Sequence, residues 1–510
     1  MKQIYENLAV MTNGDSILIN EIPICDITAF TATIIDAVDK GQRVSSFFGA
    51  KTDNADSTAL YVILADDESN RLNVGKTIIS GTEFPSITPH CPQVHLFERE
   101  IAEQFGIIPI GHPWFKPVRY CHSWTGMDAW NRNKNEPILP AVGDFYRIEG
   151  EQIHEVAVGP VHAGVIEPGH YRFQCHGEQV FHLEIALGFQ HRGVEKAMET
   201  GPDSRSLHFM ETLAGDTTIG HSISYCQIYE AFSHTQKPVR AQALRGIALE
   251  LERLANHVGD LGALSGDVGF LPTSSFCGRL RGEFLNLTAY LCGNRFGRGF
   301  ILPGGVGFDI DQQDVGEILH RIGICNKEIT DAINLLWDNQ SVMARFTDTG
   351  PISEDFAIEM GLVGPVARAS GIMRDVRYTH PNGIFRFSQI PVSIYESGDV
   401  LGRAYVRWME IQKSISFIIN QLKTLPKGDV LVLPEKLNPL SLSIALNEGW
   451  RGEICHVALT DENGSFARYK IVDPSFHNWQ GLAQALRNQE ISDFPLCNKS
   501  FNLSYCGHDL

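Results

Sequence analysis

No two of the eleven cysteines stand as a Cys-x-x-Cys pair; they are scattered singly from Cys25 to Cys506. That absence denies the chain a self-contained iron–sulfur or zinc site of the usual thiolate spacing. An odd, dispersed set also suits a reducing compartment better than a disulfide framework. Long apolar runs are missing as well. No stretch of about 18 apolar residues is present to cross a bilayer, so any membrane association has to come through partner subunits. The opening MKQIYENLAVMTNGDSILIN has no basic segment ahead of an apolar core, and no secretory signal is read there. Positive charge is scarce. Lysine and arginine number 42 against 60 acidic residues, and the net charge of −18 argues against nucleic acid or an anionic lipid surface as a direct partner. Nucleotide motifs are lacking too. Gly75-Lys76-Thr77 looks like the end of a phosphate-binding loop, but the glycine needed five residues before Gly75 is Asn70, and no convincing Gly-x-Gly-x-x-Gly joins a strand to a helix.

What is present is an ordinary globular composition, 43% apolar and 20% charged, over 510 residues, room for two or three domains with separate cores. Residues 1–130 read as a small α+β domain. Tyr61 to Ala65 and Ile107 to Ile110 have the pattern of buried strands, and Cys25 to Val38 has apolar residues at helical spacing. In the run FEREIAEQFGIIPIGHP, Phe97 to Pro113, Glu98 and Glu100 fall near a helix start, where carboxylates favour the dipole. Gly106 can close that helix in a left-handed conformation. Residues 131–151, rich in Asn, Lys, Pro and Gly, read as a linker. Residues 152–510 turn mainly helical with small β elements. Leu244, Ile247, Leu251, Leu254, Val258 and Leu261 make the stripe of a buried helix. Arg403 and Arg407, with Asp399 one turn earlier, have the spacing of an ion-pair ladder on one helix face.

Several of these motifs carry a resemblance. Phe97 to Pro113 resembles the signature of the 30-kilodalton-type subunit of respiratory complex I, here Glu98, Arg99, Glu100, Phe105, Gly106, Ile107, Gly111, His112 and Pro113, with Glu103 where that family usually has Asp. Further on, Gly159, Pro160, His162, Glu167, Gly169 and His170, then GFQHRGVEK at Gly188 to Lys196, then Glu252, Arg253, Asn256 and His257, resemble hydrogenase large subunits and the 49-kilodalton-type subunit of complex I. The same holds for Gly364 to Gly371 with Asp375, and for Arg468 to Asn478. A fusion of two such domains is the arrangement of the large subunit in membrane-bound, energy-converting hydrogenases and formate hydrogenlyases.

The resemblance implies where a metal would sit, and there the sequence departs from it. Nickel–iron hydrogenases carry Cys-Gly-x-Cys with His four residues later; here Ala214, Gly215, Asp216 and Thr217 precede His221. Both cysteines of the family's closing Asp-Pro-Cys-x-x-Cys are absent, with Ser504 and Gly507 in their places and Cys506 one position out of register. Soft, strongly donating sulfur holds these metals and sets their potential. A methyl group, two hydroxyls and a glycine are therefore expected to hold none. Gly215 also stands where complex I places a tyrosine that holds the quinone headgroup.

By the same resemblance Glu167 matches the carboxylate that passes protons in hydrogenases, a role suited to a carboxyl whose charged form a closed cavity disfavours. Asp267 matches the acid that helps a cavity histidine deliver protons to quinone. His170 and His191 complete the expected proton-handling set, His191 being the one side chain of its motif that ordinarily titrates near neutrality. His162, Arg192, His221 and Arg368 are the expected cofactor- or acceptor-binding residues. Arg192 is able to hold a carboxylate in bidentate geometry, and Arg368 corresponds to the arginine beside the hydrogenase cluster. No cofactor is expected on this chain itself; an iron–sulfur cluster is expected in a partner small subunit, with quinone as a candidate acceptor. Antiporter-like membrane subunits are expected beyond that partner, and the location implied is cytoplasmic, on the inner face of the cell membrane. Three roles follow: a redox subunit passing electrons to quinone or another small acceptor, a non-catalytic coupling subunit, and a hydrogenase with unusual ligands.

Overall fold

The computed structural model describes residues 6–54, 56–162 and 166–510. The N-terminal sheet runs in the order Leu8–Met11, Arg71–Ser80, Ser57–Asp66, Arg43–Lys51, all antiparallel, with Ile24–Cys25 parallel to Arg71–Ser80. Its helix Ile27–Asp39 begins where the Asp26 carboxylate accepts the N–H groups of Thr28 and Ala29, and it buries Phe30, Ile34 and Ala37. Strand Ser57–Asp66 is a continuous apolar run because it is buried along nearly its whole length. The expected strand at Ile107 to Ile110 is present as Ile108–Ile110 but is not buried throughout, Ile110 being 52% exposed.

Helix His95–Phe105 ends at Gly106 with φ 74°, the left-handed cap its sequence predicts. A Cβ at Gly106 would lie 2.5 Å from the Met127 carbonyl oxygen, so space as well as conformation requires glycine. The two helix carboxylates have tasks other than the dipole. Glu98 is buried and accepts the Ile87 N–H and the hydroxyls of Ser86 and Thr88. Glu100 pairs with Arg119 and Lys470.

Between Ile110 and Ile153 the chain contains no helix or strand. It is nevertheless pinned: Lys116 pairs with Glu184, and the Tyr146 N–H donates to the same carboxylate at 2.9 Å. Beyond it, a three-stranded sheet of Ile153–Val158, His170–His176 and Gln179–Ala186 leads into the helices. The 29-residue helix Val239–Asp267 is the axis of this region, packed against Leu271–Cys292 and Val400–Lys423. All six residues of its apolar stripe are fully buried. A last sheet, Ser441–Gly449, Gly452–Thr460 and Phe466–Val472, takes Ser16–Leu18 from the N-terminus as its edge strand. One hydrophobic core therefore joins Leu60, Val62 and Phe105 to Leu442, Ile444 and Val457. Apolar packing crosses the boundary between the expected domains.

The ladder expected on Val400–Lys423 does not form. Asp399 caps this helix by accepting the Gly402 N–H, Arg403 donates to Ser500 Oγ and to the carbonyls of Gly398 and Gly350, and Arg407 pairs with Asp260. Side chains one turn apart diverge here because each finds a buried acceptor on a different neighbour.

Candidate functional site

The site is built on two short turns that the fold brings together. One is Ala214 to Thr217, between helices Ser206–Leu213 and Thr218–Phe232; the other is Asn502 to Ser504, just before helix Tyr505–Asp509. The first turn is held from behind by helix Val239–Asp267. Glu252 accepts the N–H groups of Ile219 and Gly220 at 2.7 and 3.1 Å, and the Asn256 amide donates to the Asp216 carbonyl at 3.0 Å. Burial raises the Glu252 carboxyl to about 8, more than those two N–H groups lower it.

Arg451 bridges the two turns. It donates to both oxygens of Asp216 at 2.7 and 2.8 Å and to the Asn502 carbonyl, and its guanidinium stacks 3.9 Å from the centre of the Trp450 ring. Burial alone would raise the Asp216 carboxyl; the charge and hydrogen bonds of Arg451 outweigh it and hold the group below the usual carboxylate range.

Behind this pair lies a line of buried side chains. His221 Nε2 is 3.1 Å from Asp473 Oδ2, His221 Nδ1 is 3.1 Å from His456 Nε2, and His456 Nδ1 is 2.9 Å from the Tyr469 hydroxyl. Burial, with the charge of His221 beside it, holds His456 well below the ordinary histidine range. Burial works against ionised Asp473, but His221 and Arg451 prevail and keep its carboxyl low. The line closes in two hydrogen arrangements. In one, Tyr469 donates to His456, His456 to His221 and His221 to Asp473. In the other, a proton added at His221 turns the His456 and Tyr469 hydrogens around. Such a line can take up or release one proton at the site without exposing a charge to the core.

The expected residues divide into those gathered here and those elsewhere. Glu167 accepts the N–H groups of Tyr505 and Cys506 at 3.3 Å each, at the start of helix Tyr505–Asp509. His162 is half-buried, its Nε2 without a partner among the described residues, 6.0 Å ring to ring from Tyr171, whose hydroxyl meets that of Tyr505. The stretch between His162 and Glu167 includes residues 163–165, which lie outside the described residues. His191 Nδ1 donates to the Asp509 carbonyl at 2.7 Å, and Asp509 in turn accepts the N–H groups of Gly188 and Gln190. Glu167, His191 and His221 thus all reach the last turn of the chain or the pocket beside it.

Among the described residues Arg192 holds no carboxylate. Its guanidinium donates to the carbonyls of Thr212 and Leu213, clipping the end of helix Ser206–Leu213 in place. His170 lies off the site, between the Gly159 carbonyl and Arg172. Asp267 is the exposed last residue of its helix, and no histidine among the described residues pairs with it. Partial desolvation raises its carboxyl to about 6 against the lowering charge of Lys499. Arg368 is fully buried away from the two turns, bound to Glu410 and Glu448. Arg451, not Arg368, is the arginine at the turns. A buried arginine looks the same in sequence whether it faces a ligand or a carboxylate, and only the fold separates the two. The sole sequence signal for Arg451 is its place in Arg451-Gly452-Glu453.

The side chains do not fit a thiolate-held metal. Thr217 Oγ1 donates to Asp216 Oδ1, and Ser504 Oγ accepts the Gly507 N–H. A Cβ on Gly507 would lie 2.6 Å from the Asp473 carboxyl carbon, so the carboxylate occupies the space a cysteine there would need. Cys506 is the nearest thiol, 3.4 Å from Ser504 Oγ, and burial and then Glu167 push it up to about 12, far from a thiolate. Cys226 is buried near Arg245 and Glu230 instead. Among the described residues no three His, Cys, Asp or Glu side chains are grouped to hold a metal ion.

A helical domain with this pocket, joined to an α+β domain whose Glu100 docks on Lys470, defines a complex I- and hydrogenase-like large subunit. Residues 27–130 match the family described as respiratory-chain NADH dehydrogenase, 30 Kd subunit, and residues 267–442 match the family described as respiratory-chain NADH dehydrogenase, 49 Kd subunit. Formate hydrogenlyase subunit 5 of Escherichia coli is 29% identical over 88% of this chain and 81% of its own length. Hydrogenase-4 component G of the same organism is 28% identical over 83% and 75%. The C/D protein of NADH-quinone oxidoreductase from Bdellovibrio bacteriovorus is 26% identical over 87% and 86%. The chain is a fusion of complex I 30-kDa-type and 49-kDa-type domains, homologous to these three proteins.

Proposed function

We propose that this chain is the metal-free large subunit of a membrane-associated, complex I-like or hydrogenase-4-like oxidoreductase complex. In this reading it sits on the inner face of the membrane against a small subunit that carries an iron–sulfur cluster. Electrons leave that cluster for quinone or another small acceptor beside the two turns, and the reduction is coupled to ion translocation by membrane subunits. Among the described residues no helix is long and apolar enough to cross a membrane, so attachment falls to the partners. The observation that carries the reading is Asp473: its carboxylate fills the space beside Gly507, and the line from it to Tyr469 supplies a proton route where four thiolates would otherwise stand. Glu167 and His191 stand beside that route and are the groups assigned to proton exchange with the acceptor.

A second reading, a coupling subunit without electron acceptance, draws support from the small volume at the turns. The cavity behind the first turn, lined by Asp216, Glu252 and Asn256, measures about 20 Å³, space for little more than water. Elemental analysis and redox titration of the purified complex test both readings. Less than 0.1 nickel per chain (roughly a tenth of stoichiometric), with the partner cluster reoxidised by a quinone analogue, is the expected result. Stoichiometric nickel with hydrogen evolution overturns both; a cluster that no acceptor reoxidises leaves only the coupling role.

A further inference from the structure

We infer that the cavity between the two domains, beneath helix His95–Phe105, binds a small aromatic carboxylate. It measures about 390 Å³, within the range of small-molecule sites of roughly 300–1,000 Å³. It shares no lining residue with the Asp216–Arg451 pair or the histidine line.

Charge in this cavity is unbalanced. Arg99 donates from Nε to the Lys116 carbonyl at 2.7 Å and from Nη2 to the Pro117 carbonyl at 2.9 Å. Among the described residues Nη1 has no partner, and no carboxylate pairs with the guanidinium. The one carboxylate in the wall is Glu184, and it is fully engaged: Lys116 and the Trp114 ring N–H hold Oε1, and the Tyr146 N–H holds Oε2. Burial pulls the Arg99 pKa down more than neighbouring Tyr120 and the Glu103 and Glu184 carboxylates restore it, the mark of a cation short of a counter-ion. His95 beside it is pushed down to about 3 by burial and by Arg99, so it is neutral and brings no second charge. A single anionic head of planar, two-oxygen geometry matches the free edge of the guanidinium.

Apolar side chains make up most of the remaining surface, beside His112, His182, His508 and Gln480. Leu96, Val118, Leu183, Ile185, Met360 and Trp479 face the same space. An inorganic anion would leave these groups against water, whereas a flat ring covers them and gains their burial.

Calorimetric titration of the full-length chain with benzoate, benzamide and inorganic phosphate decides the matter. Benzoate is expected to bind at one site per chain, and benzamide, its uncharged isostere, and phosphate at least about tenfold more weakly. Arg99→Gln is expected to weaken benzoate about tenfold or more. Because Arg99 also ties down the Lys116 and Pro117 carbonyls, Ile185→Trp serves as a second variant: it fills the cavity, leaves those bonds intact, and is expected to abolish benzoate binding with an unchanged melting profile. Equal affinity for benzoate and benzamide, phosphate binding as tight as benzoate, benzoate retained by Ile185→Trp, or no benzoate binding to the unmodified chain overturns the assignment.

Discussion

At Gly507 the side chain is absent because another side chain needs the room. The Asp473 carboxylate sits where a Cβ would go, bound to His221 and to the Ser475 N–H at 2.8 Å. Gly507→Cys is therefore expected to cost about 1–3 kcal/mol, as overpacking does. The double variant with Asp473→Ala is expected to recover part of that loss, read by thermal melting of the two proteins side by side. Glu252 offers a pH signature. Its folded carboxyl titrates at about 8, whereas an unfolded glutamate titrates near about 4.3. Between those values the folded chain keeps a proton that the unfolded chain has released, so stability falls as pH rises across that window. Glu252→Gln removes this contribution, and its melting temperature is expected to drop less than the unmodified chain's between about pH 5 and about pH 8. The residues legible in sequence at the site were those carried by a recognisable run: Glu167, His191 and His221. His456 and Asp473, the latter within the Arg468 to Asn478 run, lie more than 200 residues from His221 and meet it only through the final sheet, whose hairpin also brings Arg451 to Asp216.

Among elements, the long helix was the clearest in sequence. Its apolar stripe at helical spacing required a buried face, and Val239–Asp267 supplies one. What the stripe did not reveal is that the opposite face is buried too, carrying Arg245, Glu250 and Arg253 into ion pairs, and His257 into a hydrogen bond, with neighbouring elements. Polar positions read as solvent-facing when no neighbour is known. Helix Gln312–Trp337 is the contrasting case, amphipathic with one exposed side. It starts with a reciprocal cap: Asp311 accepts the Gln313 and Asp314 N–H groups, and Asp314 accepts that of Asp311. Asp311→Ala is expected to lower stability by about 1 kcal/mol without touching the site, measured by urea denaturation.

For the whole molecule, a buried charge network holds the halves together. Lys470 lies between Glu100 of the N-terminal domain and Glu195 of the Gly188 to Lys196 run, and Arg119 and Arg468 extend the set. Lys470 is fully buried, and Glu100 and Glu195 are nearly so. Removing the lysine leaves two carboxylates without that cation. Lys470→Met is expected to cost roughly 3–5 kcal/mol and to speed proteolysis within residues 131–151, read by denaturation and timed digestion. Glu100 of the N-terminal signature belongs to this docking, while Glu98 accepts hydrogen bonds from Ser86, Ile87 and Thr88, which explains why a motif read as a helix start has carboxylates facing inward.

The amino-acid sequence by itself determined the buried stripe of the long helix, the glycine cap at Gly106 and the loss of thiols at four positions, because period, turn chemistry and ligand type are local properties. The tertiary structure alone decided which arginine meets the turns, that Asp473 fills the vacated space, and that the N-terminal sheet shares a core with the final sheet of the second domain. Those are contacts between residues hundreds of positions apart, and the energy that selects among them comes from burial and pairing, which no local pattern encodes.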